Sequence, residues 1–146
     1  MIYWDTSALL KLYVAEPDSA YFLRLAEESE EPICSSAIVM TEALAAFHRK
    51  QHAGDLAAGG ASAVFRKFSG DVQAGRIVTI PYGGDVRAEA EKLIRLAFDR
   101  PRPVMLRSLD AIHLGSALAV KARVLVATDA RLREAAALVK LKALPE

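Results

Sequence analysis

A single cysteine, Cys34, stands in the whole chain. No internal disulfide can form, and the thiol reads as a small core residue. No apolar run approaches the ~20 residues that a membrane span needs. No basic segment followed by an apolar stretch marks an exported leader. Both absences point to a cytoplasmic chain with no membrane contact. Net charge is nearly missing too, since 19 Lys and Arg against 18 Asp and Glu leave +1. Such a chain has no global basic field to hold a nucleic acid, so an RNA or DNA partner would need local positive charge or metal ions. Internal repeats and long linkers are absent. Gly59-Gly60 follows no strand and precedes no Lys-Ser/Thr, which makes it a bend rather than a phosphate cradle.

What is present is a core. The hydrophobic share of 53% over 146 residues excludes a disordered chain, and the length fits one domain, 1–146. Strand and helix patterns alternate, which predicts parallel strands joined by crossover helices. Strands are expected at Met1 to Trp4, Pro32 to Ser35, Arg76 to Ile80 and Arg123 to Ala127, with a possible closing strand at Val139 to Leu144. The first helix should run from Thr6 to Val14, and the second should follow Asp18 as its cap. Ser35 or Ser36 should cap a long helix reaching Ala53, and Asp85 the helix carrying Val86, Ala90, Leu93 and Ile94. Ser108 should cap the segment LDAIHLGSALAV, apolar almost all round and therefore buried on several sides. The stripe Ala61, Val64, Phe65, Phe68 and Val72 has helical spacing and pairs with the long helix as a hairpin. The fold class is α/β, with a central, mostly parallel sheet of four or five strands flanked by helices.

Acids mark the ends of this pattern. Asp5 follows the first strand and Asp129 the fourth, on the edge where parallel sheets bind ligands. Each can also serve as an N-cap. Glu42 has Ile38, Val39, Ala45 and Ala46 as helical neighbours, and a carboxylate in an apolar patch is costly unless it is paired or metal-bound. Asp110 lies in the first turn of the buried helix, with Arg107 as an alternative ion-pair partner. Four carboxylates converging on one edge would repel one another unless a cation neutralised them. Oxygen ligands without Cys or His suit Mg²⁺ or Mn²⁺ rather than Zn²⁺, and such ions serve phosphodiester chemistry.

Four blocks carry a resemblance that spans nearly the whole chain: IYWDTSALLKLY, SSAIVMTEALAAF, LRSLDAIHLGSALA and VLVATDARLREAA. In this order the chain resembles the PIN domains, and within them the VapC-type toxins of toxin–antitoxin pairs. The resemblance implies a three-layer α/β/α, Rossmann-like fold and a Mg²⁺- or Mn²⁺-dependent endoribonuclease leaving 5′-phosphate and 3′-hydroxyl ends. It assigns Asp5, Glu42, Asp110 and Asp129 as the catalytic and metal-binding acids. Thr6 or Ser7 would hold metal-bound water or Asp5 through a hydroxyl. Many members read Thr-x-Asp before the last helix, where this chain reads Ala127-Thr128-Asp129. The implied partners are an RNA, a small antitoxin and a second copy of the chain.

Other residues are weighed individually. Arg107 suits a scissile phosphate or a pair with Asp110. His113 reads as a core histidine or one making a single supporting hydrogen bond. Lys11, Arg49, Lys50, Arg66, Lys67, Arg131 and Arg133 are possible phosphate contacts. Two other functions compete: a catalytically weak PIN domain that binds RNA or protein, and an aspartyl-phosphate enzyme using Asp5. The latter lacks a second acid two residues on, where Ser7 stands.

Overall fold

Alternation along the first strand sets the layers of this protein. The computed structural model describes residues 1–146. Its strands are β1 (Ile2–Trp4), β2 (Ile33–Ser36), β3 (Ile77–Ile80), β4 (Val124–Val126) and β5 (Lys142–Leu144). They form one sheet in the order β3-β2-β1-β4-β5, with every neighbouring pair parallel. The helices are α1 (Thr6–Leu10), α2 (Ser19–Glu28), α3 (Val39–His52), α4 (Gly60–Gln73), α5 (Gly84–Phe98), α6 (Ser108–Ala119) and α7 (Ala130–Leu138). Tyr3 and Trp4, adjacent on central β1, must face opposite sides of the sheet. Tyr3 joins a core with Leu93, Leu114, Leu125 and Leu132, from α5, α6, β4 and α7. Trp4 joins Leu9, Phe22, Phe47 and Phe68, from α1 to α4. Burial on both faces is why the central strands β1 and β4 are apolar without interruption. Edge-on pairs join Trp4 to Phe22 and Phe47 to Phe68, each with ring centroids 6.3 Å apart.

The parallel α/β/α architecture agrees with the expectation, and the opening strand is central. Helix starts differ more. Ser36 does not cap α3: it stays in β2 opposite Ile80, and Ala37 N–H still bonds Ile80 O at 2.8 Å. The sheet ladder thus holds the backbone extended, and α3 begins after Ile38. Ser108 is the first residue of α6, whose N-cap is Arg107. Asp18 makes no capping bond, because its carboxylate is drawn to Lys11 at 2.7 Å. Gly83, not Asp85, caps α5. Helix α1 stops at Leu10 because the N–H groups of Lys11, Leu12 and Tyr13 turn to carbonyls three residues back, the tighter 3₁₀ pattern.

Two glycines have a geometric reason. Gly59 takes φ +77° at the bend between α3 and α4, a left-handed conformation favouring glycine. Gly115 lets α6 press onto α5. A Cβ there would stand 2.9 Å from Val86 O and 3.0 Å from Ala90 N.

Candidate active site

The chain passes from β1 outward to β2 and β3, then returns to place β4 on the other side of β1. That reversal opens a crevice beyond the C-terminal ends of β1 and β4, the usual ligand site of such sheets. Asp5 leaves β1 into it and Asp129 follows β4. Helix α3 brings Glu42 from its first turn, and α6 brings Asp110 and His113 from its N-terminal half. The crevice is a cleft of about 850 Å³ whose walls include Asp5, Thr6, Ser7, Glu42, Arg107, Asp110, His113, Thr128 and Asp129. Every site residue expected from sequence therefore reaches one place. Of the possible phosphate contacts, Lys11, Arg49 and Lys50 line it, whereas Arg66, Lys67, Arg131 and Arg133 do not. Arg133 instead donates to Ala127 O at 2.9 Å, inside its own corner.

Asp5 is buried, with 5% of its surface exposed. Its partners are the Ala8 N–H at 3.0 Å and the Ser7 hydroxyl, 2.9 and 2.8 Å from its two oxygens. The first of these is the N-cap bond of α1, so Asp5 is a cap as well as a cleft residue. No basic side chain pairs with it. Burial accordingly raises its carboxyl above the ordinary aspartate range, although the Ala8 N–H acts against that. Ser7 has one hydroxyl proton, which goes to Asp5, so the Thr128 hydroxyl 2.7 Å away donates to Ser7. The hydroxyl displaced by one place in Ala127-Thr128-Asp129 thus still reaches the cleft.

Glu42 is not paired with Arg49 or Lys50. His113 Nε2 lies 2.7 Å from its Oε2, and Thr6 Oγ1 donates to the same oxygen. Burial pushes this carboxyl up, but the bonds from His113 and Thr6 outweigh it and hold Glu42 below its usual range. His113 makes more than the single bond expected of it. Its Nδ1 meets Tyr3 Oη at 2.7 Å, and its Nε2 also lies 3.2 Å from Thr6 Oγ1.

Arg107 spans the far side. Its Nε and Nη2 reach the Asp110 carboxylate at 2.8 and 2.9 Å, and Nη2 also reaches Asp129 at 3.2 Å. Asp110 further accepts the Arg107 N–H at 3.3 Å, so it satisfies the start of α6 that Ser108 was expected to satisfy. Asp129 caps α7 through the N–H groups of Arg131 and Leu132, at 2.9 and 3.1 Å.

The donor set suits a hard divalent cation: carboxylate oxygens facing one cleft, and a buried Asp5 with no ion-pair partner. As they stand, no three acidic, His or Cys side chains close on a single point. Arg107 draws Asp110 and Asp129 together, while His113 and Thr6 hold Glu42. A cation bound there would compete with Arg107 for the two aspartates.

Two features escaped sequence reasoning. Tyr3 read only as part of the first strand, because nothing local reveals its hydroxyl's partner 110 positions away. The second is a charge cluster on the cleft wall. Lys11 is buried, and its ammonium bonds Glu16 and Asp18, while Lys50 bonds Glu16 at 2.6 Å. Bonds from Lys11 first, then Lys50, hold the Glu16 carboxyl below its ordinary 4.5. Glu16→Gln should therefore cost about 1–2 kcal/mol near neutral pH, less than a fully buried pair because Asp18 still serves Lys11 and is half exposed. Because the folded value is lowered, this stability is fully present above the ordinary 4.5 and is lost as pH falls toward and through the lower folded value. Urea unfolding should then show wild type and Glu16→Gln converging in acid.

A family model described as "PIN domain" matches residues 2–138. A comparison with curated proteins finds no match.

Proposed function

The chain belongs to the PIN-domain family, whose members are generally nucleases, and on that premise we propose that its 146 residues act as one domain, a Mg²⁺- or Mn²⁺-dependent endoribonuclease. The observation that carries this reading is Asp5: a buried carboxylate without a basic partner, in a cleft shared with Glu42, Asp110 and Asp129. Asp5, Glu42 and Asp110 would hold the cation, with Asp129 beside them. When bound, that ion supplies an acidified water and charge stabilisation at a phosphodiester.

The chain's own groups have separate tasks. Ser7 and Thr128 orient Asp5, and Thr6 and His113 orient Glu42. Arg107, half exposed, presents N–H donors that match phosphate oxygens once an ion takes its carboxylates. Arg49 adds a cation to the cleft wall that could meet a phosphate, while Lys50 beside it is bound to Glu16. The four sequence blocks support the narrower reading: a cytoplasmic VapC-type toxin with a small antitoxin partner, acting as a homodimer. No helix is long and apolar enough to cross a membrane.

The test is a cleavage assay on total cellular RNA with mapped 5′ ends. Cutting that needs Mg²⁺ or Mn²⁺, stops in EDTA and leaves 5′-phosphates is the expected result. Undiminished cutting in EDTA overturns the mechanism. Retained RNA binding with no cutting at any metal concentration would favour the binding-module reading. For the toxin role, the check is a small reading frame beside this one whose product copurifies with the chain and stops cleavage.

A further inference from the structure

Behind the cleft, a hydrogen-bonded line runs from the sheet to Glu42. Ser36 N–H of β2 donates to Tyr3 Oη at 2.9 Å. Tyr3 Oη stands 2.7 Å from His113 Nδ1, and His113 Nε2 stands 2.7 Å from Glu42 Oε2. The carboxylate can only accept, so Nε2 must carry a proton. In the neutral imidazole Nδ1 then offers only its lone pair, so the Tyr3 phenol, which accepts from Ser36, donates its own proton to Nδ1. Tyr3 is wholly buried, and a phenol keeps its proton at neutral pH. The ring of Tyr3 is all that core packing asks for. Its hydroxyl touches no cleft residue but His113.

We propose that Tyr3 is a positioning residue: its phenol selects the Nε2–H tautomer of His113, and that tautomer holds the Glu42 carboxylate in the cleft. Without the phenol proton only the Glu42 carboxylate still favours Nε2–H, and the Nδ1–H form gains population. The Nε2 lone pair then faces the Glu42 oxygen, and an attraction becomes a repulsion. The same support determines ion affinity, since a partner that orients a ligand typically changes affinity or activity by about 10–100-fold. This consequence rests on the assignment of Glu42 as a ligand above.

The experiment uses the full chain, labelled with ¹⁵N histidine, without metal or RNA. His113 is distinguished from His48 and His52 by its loss in His113→Gln. The wild type should show a protonated Nε2 and an unprotonated Nδ1, and a protonated Nδ1 in the wild type overturns the proposal without any variant. Tyr3→Phe should convert this pattern to a mixture of tautomers, and an unchanged pattern overturns it. Mn²⁺ alone is then titrated into each protein. Tyr3→Phe should weaken Mn²⁺ binding by about tenfold. In His113→Gln the donor is an amide that has no tautomers, so adding Tyr3→Phe should change the Kd by less than about twofold. An equal loss in both backgrounds would mean a structural effect only and reject the proposal. These readouts involve no RNA, so a wild type that fails to cut counts against the ribonuclease reading and leaves the tautomer result standing.

Discussion

Asp5→Asn should lower RNA cleavage by about 10²–10³-fold or more, the scale for losing one charge-stabilising group at a reacting centre, while leaving the fold at least as stable. The two halves of this expectation have different causes. Asn keeps the volume and the capping oxygen for Ala8 N–H, and it ranks with Asp as an N-cap, so α1 keeps its start. It removes the one buried negative charge that has no basic partner. A carboxyl whose folded pKa is raised favours the protonated folded state. Its contribution is fully present below the ordinary value of 3.8 and is lost as pH rises through the raised folded value. In metal-free buffer the wild type should therefore fall behind Asp5→Asn as pH increases from 3.8 toward neutrality. Mg²⁺ or Mn²⁺ should then raise the wild-type thermal midpoint and leave that of Asp5→Asn unchanged, because an ion binding only the folded state stabilises it by mass action. Cleavage kinetics and a pH series of unfolding curves check both halves. Full activity in Asp5→Asn would remove Asp5 from the site altogether.

Gly115→Val should destabilise the protein by about 3 kcal/mol, at the upper end for overpacking a core, and lower its thermal midpoint by about 6–12 °C. The obstacles at this position are the Val86 carbonyl and the Ala90 amide, backbone atoms that cannot rotate aside. Gly115→Ala sets two effects against each other. The helix gains about 1 kcal/mol of propensity, while a Cβ 2.9 Å from a carbonyl oxygen forces α5 and α6 apart. Overpacking wins, by a smaller margin than for Val. The consequence extends to the cleft, because His113 and Asp110 lie on α6 just before Gly115. Both variants should lose cleavage activity even at temperatures where they remain folded. A Val variant as stable and as active as the wild type would show that the two helices have room to separate.

Legibility of the site from sequence varied with the range of the interaction. Asp5 and Asp129 were readable because a strand followed at once by an acid and a helix is a local pattern. Glu42 was readable as an anomaly, a carboxylate among apolar neighbours. Its true partner, His113, lies 71 positions away and could not be found by counting helical turns. Arg107 was weighed against Asp110 at three residues' distance, and that pair exists. Its second contact, to Asp129, needs β4 and α6 brought side by side. The helix starts misread at Ser36 and Ser108 share one cause. Capping propensity acts within a single turn, and it yielded to the β2–β3 ladder in one case and to the Arg107–Asp110 pair in the other.

The sequence by itself determined the parallel α/β class and the four acids that mark the cleft. These follow from hydrophobic periodicity and from polar residues at strand ends, both written in neighbouring positions. Only the tertiary structure decided the rest. It left Asp5 without an ion-pair partner, set Arg107 between Asp110 and Asp129, and connected Tyr3 through His113 to Glu42. The physical reason is one of distance. Such contacts join side chains far apart in the chain, and their energies depend on burial and on hydrogen-bond geometry within a few tenths of an ångström. Residue order alone carries neither quantity.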